Sequence, residues 1–586
     1  MTISYRMKKH GEEKSDAVLF LFSCIKSLTN PKSRDIIKNI ISGKEGIRMH
    51  TKNLVGKIVL SVVSGAIFAS LYFYFALPAL NPANPSFWFG LTLVILFFAY
   101  PFLFRSDYAG FHLNKITVVI AVLPAVIMIV GSVISSPVFN ARAYASVITV
   151  TEADFATDMK ETDEVTNIAL MDGNSARYLG NKTLGSVSHM VSQYVVSDNY
   201  TQINYQYTPK KLANLEHADF FKWYANKEKG VPGYVMVDPV GNSAEYKELK
   251  TPLKYVDSAY FNHDLMRKLR FDYPTKIFDD FISFEVDDQG NPYYIITCLK
   301  PKVFPFGAMD VSEAIIFDPC TGESEIYAVE DVPAWVDAVY SGDLAEEKYN
   351  WYGTLSGGFI NSIIGNKDCK QTTDDYGYIV IGDDVWYFTG VTSVTSDESN
   401  IGFIISNART GEYKYYPVVG AEEYGAMNAA EGVVQEKGYK ASFPSLINVS
   451  GQATYIMVLK DASGYVRLYA LVNVEHPNIV ATAPKQDEAM KAYRALLADE
   501  GIIEGGKLPD PSLPSVRITV ADIRTYTVDG NTVFYFVDEN GFYYKGMLRD
   551  MEDMIFFAIG DQLEITYAET DNPKIREMNR VTKISG

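Results

Sequence analysis

Beyond the apolar N-terminal region, the side chains best suited to acid–base or metal chemistry are His189, His217, His263 and His476 and the acidic runs Asp279-Asp280, Asp287-Asp288, Asp374-Asp375 and Asp383-Asp384. The histidines fall one per region. None shows the H-x-x-x-H or H-E-x-x-H spacing that sets two ligands on one helix face, so no metal site and no cofactor are expected. Asp287-Asp288-Gln289-Gly290-Asn291 lacks the alternating oxygen ligands and the later glutamate of an EF-type calcium loop, and its residues are ordinary hairpin-turn chemistry. Gly185 to Met190 reads GSVSHM, without the G-x-S-x-G elbow of a serine hydrolase. The glycine-rich stretch Gly353 to Lys367 lacks G-x-x-x-x-G-K-[ST] and is no phosphate cradle. No catalytic residue is assigned, although paired carboxylates for glycoside hydrolysis leave no mark in sequence spacing.

Aromatic residues are the better candidates for binding. Trp223-Tyr224, Trp335, Trp351-Tyr352 and Trp386-Tyr387 recur at the edges of expected elements, where a ring face with polar neighbours can stack on a sugar or anchor a partner chain. Core packing competes for every one of these tryptophans.

The elements that must carry these residues begin at a membrane. No charged side chain occurs between Lys57 and Arg105, and a second charge-free apolar run follows from Ile116 to Asn140. The first run is too long for one crossing of a bilayer core about 30 Å thick, which takes roughly 20 helical residues. Asn81-Pro82-Ala83-Asn84-Pro85-Ser86 supplies a turn, giving expected spans at 58–80, 87–104 and 116–136. Pro101 and Pro124 fall inside spans, where neighbouring helices can satisfy the freed backbone groups. Ala143-Tyr144-Ala145 has the small-x-small form of a cleavage site, but the preceding apolar run is longer than a signal peptide needs.

Charge sets the expected orientation. Residues 1–57 carry a net of plus 7 and the loop 105–115 a net of plus 1, which leaves minus 26 for the rest of a chain whose total is minus 18. The positive-inside rule then puts the N-terminal head and the 105–115 loop in the cytoplasm and the C-terminal body outside, on a multi-pass membrane protein. The head, 1–57, contains two basic amphipathic stretches suited to the inner leaflet, and Met49 is an alternative start. An acidic body lacks the basic footprint that nucleic-acid binding requires. The spans hold no charge to mark a transport path.

The body, 138–503, reads as α+β. Four segments share one form, an apolar strand, a polar turn on Asp or Asn with Gly, and a Tyr-rich strand: GYVMVDPVGNSAEYKEL from Gly233, AIIFDPCTGESEIYAV from Ala314, GFIISNARTGEYKYYPV from Gly402 and YIMVLKDASGYVRLYALV from Tyr455. In one copy PYYIITC from Pro292 precedes the hairpin and VPAWVDAVY from Val332 is expected as a following helix. Only Cys298, Cys320 and Cys369 lie beyond the spans, which excludes a disulfide framework but allows a Cys298–Cys320 bridge. Sparse cysteine in an exported chain suits a bacterial surface.

Two of the turns read Asp318-Pro319-Cys320-Thr321-Gly322-Glu323 and Asn407-Ala408-Arg409-Thr410-Gly411-Glu412. This D/N-x-x-T-G-E hairpin resembles that of PepSY-type domains, over about half of the body and on a short motif. The resemblance implies small α+β modules in exported or membrane-anchored bacterial proteins, some of them restraining a peptidase. Asp318, Thr321, Gly322 and Glu323, with Asn407, Thr410, Gly411 and Glu412, are then structural turn residues.

A Pro/Gly linker at 504–515 separates the body from alternating strands at 516–586 that look like a small OB-type barrel. Three functions fit this architecture. The first is a non-enzymatic membrane-anchored binding or scaffold protein of the bacterial envelope, engaging envelope proteins or wall polymer. The second is a PepSY-like regulator of a cell-surface peptidase. The third is an enzyme on wall polysaccharide, which requires a cleft bearing two facing carboxylates of raised pKa.

Overall fold

The computed structural model describes residues 54–107, 110–162, 170–171, 173–187, 190–241, 243–373, 375–503, 514–528, 531–548, 551–570 and 572–584. The head before residue 54, most of the Pro/Gly linker, His189, Asp374 and the Asp529-Gly530 turn lie outside them.

Three N-terminal helices, α1 (Leu54–Ala76), α2 (Pro85–Leu103) and α3 (Lys115–Ile134), are long and apolar enough to cross a membrane. Their side chains face outward in numbers that water would not tolerate, with Ile67 and Val119 more than half exposed. α1 stops at Ala76, short of the expected Leu80. The cause is Pro78, which disfavours helical backbone in the residue before it. Leu77 takes φ 47°, and the chain runs on until the Leu80 N–H donates to the Pro274 carbonyl at 2.7 Å. A two-stranded hairpin, Phe104–Asp107 with Gly110–Leu113, joins α2 to α3. A kinked helix α4 (Pro137–Ala145) follows α3. It holds Ala143-Tyr144-Ala145 in helical form, with the buried Tyr144 hydroxyl donating to the Ser135 carbonyl at 2.8 Å.

The chain divides into two compact units. The first contains the apolar helices and three sheets. One sheet orders Tyr194–Val196, Thr208–His217, Val231–Asp238 and Ser243–Leu253, with Thr201–Tyr205 also paired to Thr208–His217. Helices α5 (Gly173–Gly185) and α6 (Phe220–Asn226) belong to it. The second sheet orders Ser324–Ala328, Gly307–Phe317, Pro292–Val303 and Ile277–Val286, and α7 (Leu265–Asp272) leads into it. These two sheets share one core through Val235, Phe284, Tyr294 and Phe317. The third contains Lys370–Thr372, Asp384–Ser393, Ser396–Asn407 and Tyr413–Tyr416, closed by a parallel strand Val150–Glu152. Helix α8 (Gly342–Leu355) packs by it, buried through Leu344, Ala345 and Tyr349.

The second unit has an antiparallel sheet of Lys440–Ala441, Gln452–Lys460, Val466–Asn473 and Val480–Ala483, with Ser445–Val449 added. Helix α9 (Glu423–Val433) precedes it, and α10 (Gln486–Asp499) covers it through Ala489, Met490, Tyr493 and Leu497. Near the C-terminus five strands close into the expected small barrel. Its strands run 1-2-3-5-4, with Tyr543–Met547 and Ile575–Lys583 parallel, around Phe536, Tyr544 and Leu563. The whole is an α+β molecule: three apolar helices, a largely β body, and a terminal barrel.

All four hairpins turn on an Asx side chain that accepts backbone N–H groups ahead of it, from the second and third residues in three of them and from the second and fourth after Asp461. Asp238 Oδ1 accepts from the N–H of Val240 and Gly241, Asp318 Oδ1 from Cys320 and Thr321, Asn407 Oδ1 from Arg409 and Thr410, and Asp461 Oδ1 from Ser463 and Tyr465. Gly322 and Gly411 take φ of +82° and +73°, which only glycine adopts without cost. The hairpins lie in separate sheets.

Two expectations are corrected. Val332 to Tyr340 is not a helix, because its backbone groups are bonded to residues on and beside strands instead. The N–H groups of Val339 and Tyr340 both donate to the Ala408 carbonyl, and Thr297 Oγ1 donates to the Val339 carbonyl. The helix begins only at Gly342, capped by Ser341 Oγ. Cys298 and Cys320 are not bridged, because Cys298 pairs with Glu313 in mid-strand while Cys320 lies in the turn beyond Phe317. Burial pushes both thiols up to about 12.

Candidate functional site

The acidic runs singled out by composition meet two residues that sequence spacing did not reveal, Glu285 and Asp337. Glu285 sits on strand Ile277–Val286, fully buried, and accepts from Ser283 Oγ at 2.5 Å and from the N–H of Asp337 at 2.7 Å and of Ala338 at 3.0 Å. The buried Asp337 carboxylate accepts the N–H of Asn204 at 2.7 Å, and Asn204 Nδ2 donates to Asp383 at 3.1 Å. Asp279 accepts from Ser341 Oγ at 2.9 Å. Desolvation raises the pKa of Glu285, of Asp279 and, well above the ordinary range, of Asp337, which also feels the charges of Glu285, Asp383 and Asp384.

This centre can hold protons, but Glu285 has no exposed surface on which to transfer one to a substrate. Its oxygens are spent on holding the 337–338 backbone in place. Nearby, a crevice of about 10 Å³, the room that one water needs, is lined by Glu346, Tyr349, Tyr376, Tyr387 and Tyr413. Asp384 is committed to Arg409 and Asn407, and Asp287 Oδ1 accepts the N–H groups of Gln289 and Asn291 as a turn residue. Among the described residues no group of three or more potential ligands could hold a metal ion. Burial lowers the pKa of His263 and takes His217 down to about 4.

The predicted aromatic residues do not form one surface. Trp386 and Tyr387 are buried on strand Asp384–Ser393, and the Tyr387 hydroxyl donates to the Tyr340 carbonyl. Trp335 packs on Tyr293 and Trp351 on Tyr144, each with ring centres 5.0 Å apart, and Tyr352 lies beside Tyr349. These rings face different cores, because strand alternation and helix packing turned them inward.

Trp223-Tyr224 is the exception. α6 is capped by Asp219, whose Oδ1 accepts the Lys222 N–H at 2.9 Å. Its buried Trp223 forms a base, with Phe220, Tyr260 and Phe261 ring centres within 5.8 Å of it. On that base Phe221, Tyr224 and Phe261 stand 77, 61 and 55% exposed. Lys227 Nζ lies 4.7 Å from the Tyr224 ring centre, within cation–π reach. Phe261 has φ 55°, a strained value for an aromatic residue, and Arg267 holds its carbonyl at 2.7 Å. Phe220, Phe221, Tyr260 and Phe261 were missed because no W-Y pair marks them. The signal was their density, two aromatics immediately before Trp223 and two more at 260–261. An exposed, preorganised aromatic cluster with a cation at its rim can grip an apolar side chain, a sugar face or a cationic group. No family model matches the chain, and no curated protein matches it either.

Proposed function

We propose that this chain is a non-enzymatic, membrane-anchored binding or scaffold protein of the bacterial envelope that captures a protein or wall polymer on the α6 platform. The observation that carries this is the exposure of Phe221, Tyr224 and Phe261 on a rigid base centred on Trp223. Three apolar helices supply the anchor. The basic head and acidic body favour an N-terminus in the cytoplasm and a body outside.

The test uses full-length chain in lipid nanodiscs with a photo-crosslinking amino acid at Tyr224, exposed in parallel to solubilised envelope proteins and to purified wall polymer. Saturable capture, weakened by about tenfold or more by Phe221→Ala, supports the proposal. Capture that is equal for a crosslinker at Tyr207, an exposed residue away from the platform, overturns it.

A second reading, restraint of a peptidase, draws on the D/N-x-x-T-G-E residues of the Asp318 and Asn407 turns, whose sequence resembles the PepSY hairpin. It requires that the captured protein be a peptidase and that the full chain slow its cleavage. An action on polysaccharide draws on the raised pKa values of Glu285 and Asp337, and it requires an opening of the 336–341 segment to reach them.

A further inference from the structure

Two segments of the first unit turn apolar side chains outward beside the end of α3. The first is the tip Phe304-Pro305-Phe306, between strands Pro292–Val303 and Gly307–Phe317. Phe306 and Pro305 lie directly over Gly131, where a Cβ would overlap the Phe306 ring and come within 3.0 Å of Pro305. Gly131 is three residues inside the end of α3 at Ile134, so the tip reaches about 4–5 Å back along the helix. Phe304, at the tip, is 86% exposed.

The second segment is 359–364, from the glycine-rich stretch that holds no phosphate motif. Phe359 packs into a small cluster with Tyr144, Val303, Ala308 and Leu355, which ties the segment to α4 and to the same tip. Ile360, Ile363 and Ile364 follow the i, i+3, i+4 spacing of one helical face, and all three are strongly exposed. Asn361 Nδ2 donates to the Lys367 carbonyl at 2.9 Å and its Oδ1 accepts the Lys367 N–H, which ties the turn to the loop that follows it.

We propose that the 303–307 tip and the 359–364 turn are inserted in the lipid leaflet from which α3 emerges, so that the first unit rests against the bilayer. The inference rests on the three helices being spans. Lipid is favoured as the occupant because exposed Phe304, Ile360, Ile363 and Ile364 add to the outward apolar surface of α3 itself, where Val126, Ile129 and Val133 are open. A similar contact recurs at the end of α1. There Phe271 of α7, itself half exposed, has its ring 5.2 Å from Phe73, while Arg267 and Arg270 donate to the Tyr74 and Leu77 carbonyls. Apolar tips anchored beside a span bury their side chains at the boundary of headgroup and acyl chain.

The experiment uses full-length chain carrying Cys24→Ser and Cys320→Ser, in nanodiscs of phosphatidylcholine and phosphatidylglycerol. Spin labels are placed by Phe304→Cys and Ile364→Cys, with Val126→Cys as the span control and Tyr207→Cys as the water control. Power saturation against oxygen and a neutral nickel complex reads lipid against water. Ratios at Phe304 and Ile364 several-fold above that at Tyr207, approaching Val126, are expected. A ratio equal to that at Tyr207 overturns the proposal, and so does shelter from both relaxants, which would mean cover by protein. A water-like ratio at Val126 instead shows that α3 is not a span.

Discussion

Glu285 accepts the backbone N–H of Asp337 at 2.7 Å while the Asp337 side chain lies buried under the influence of the same carboxylate. Two acids thus share one dry region, and desolvation favours the protonated form of each. The folded state therefore binds protons more tightly than the unfolded chain. The stability these groups supply is complete below the unfolded carboxylate range near pH 4 and is lost as pH rises through their folded values. Each retained proton contributes a slope of about 1.4 kcal/mol per pH unit. Thermal unfolding of the detergent-solubilised chain is expected to fall in midpoint from pH 5 to pH 8. Asp337→Asn keeps an oxygen for the Asn204 N–H and removes one titrating group, so it flattens that fall; an unchanged slope would show the pair to be silent.

Lys348 is buried against Asp310, with Nζ 2.5 Å from Oδ1, and Lys302 reaches the other oxygen of the same carboxylate at 3.3 Å. The partners are unequal. Asp310→Ala strands a buried ammonium beside Tyr340 and is expected to cost about 3–5 kcal/mol. Lys348→Met leaves Asp310 with Lys302 and costs less. Denaturant titration of both variants checks the order, and equal losses would contradict it.

Gly290 and Gly322 share φ +82° but differ in surroundings. A Cβ at Gly290 meets nothing closer than the Tyr234 hydroxyl at 3.7 Å, whereas at Gly322 it meets the Tyr255 ring at 2.5 Å. Gly290→Ala then costs only the left-handed backbone, about 1–2 kcal/mol. Gly322→Ala adds overpacking of about 1–3 kcal/mol. Melting of the two variants side by side separates the contributions.

The turns and barrel were legible because their chemistry is local: an Asx residue bonding amides ahead of it, and strict alternation from Gln562 to Tyr567. The apolar helices were legible from absent charge, except that Pro78 ends α1 earlier than hydropathy suggests. Val332 to Tyr340 misled because its apolar spacing fits a helix while its partners, Glu285, Thr297 and Ala408, are 40 to 70 residues away in sequence. The same distance hid the Glu285–Asp337 centre. Of the aromatic pairs, only Trp223-Tyr224 lies on a short surface helix that exposes one ring while burying the other.

That division predicts how the platform responds to truncation. Phe221 and Tyr224 are 77 and 61% exposed, so Phe221→Ala and Tyr224→Ala are expected to shift stability by no more than about 0.5 kcal/mol. Each is nevertheless expected to weaken partner capture by about tenfold or more, since exposed rings on a rigid base act as binding anchors. Trp223→Ala removes the base itself, 4% exposed, and is expected to cost about 3–5 kcal/mol of stability together with binding. Lys227→Met tests the rim. It removes the cation 4.7 Å from the Tyr224 ring while keeping a similar stem, so a loss of binding confined to anionic partners assigns it a charge role. Parallel melting and capture measurements on the four variants check the pattern. Should Phe221→Ala and Tyr224→Ala destabilise as much as Trp223→Ala, the exposed rings are packing residues and the platform has no separate function.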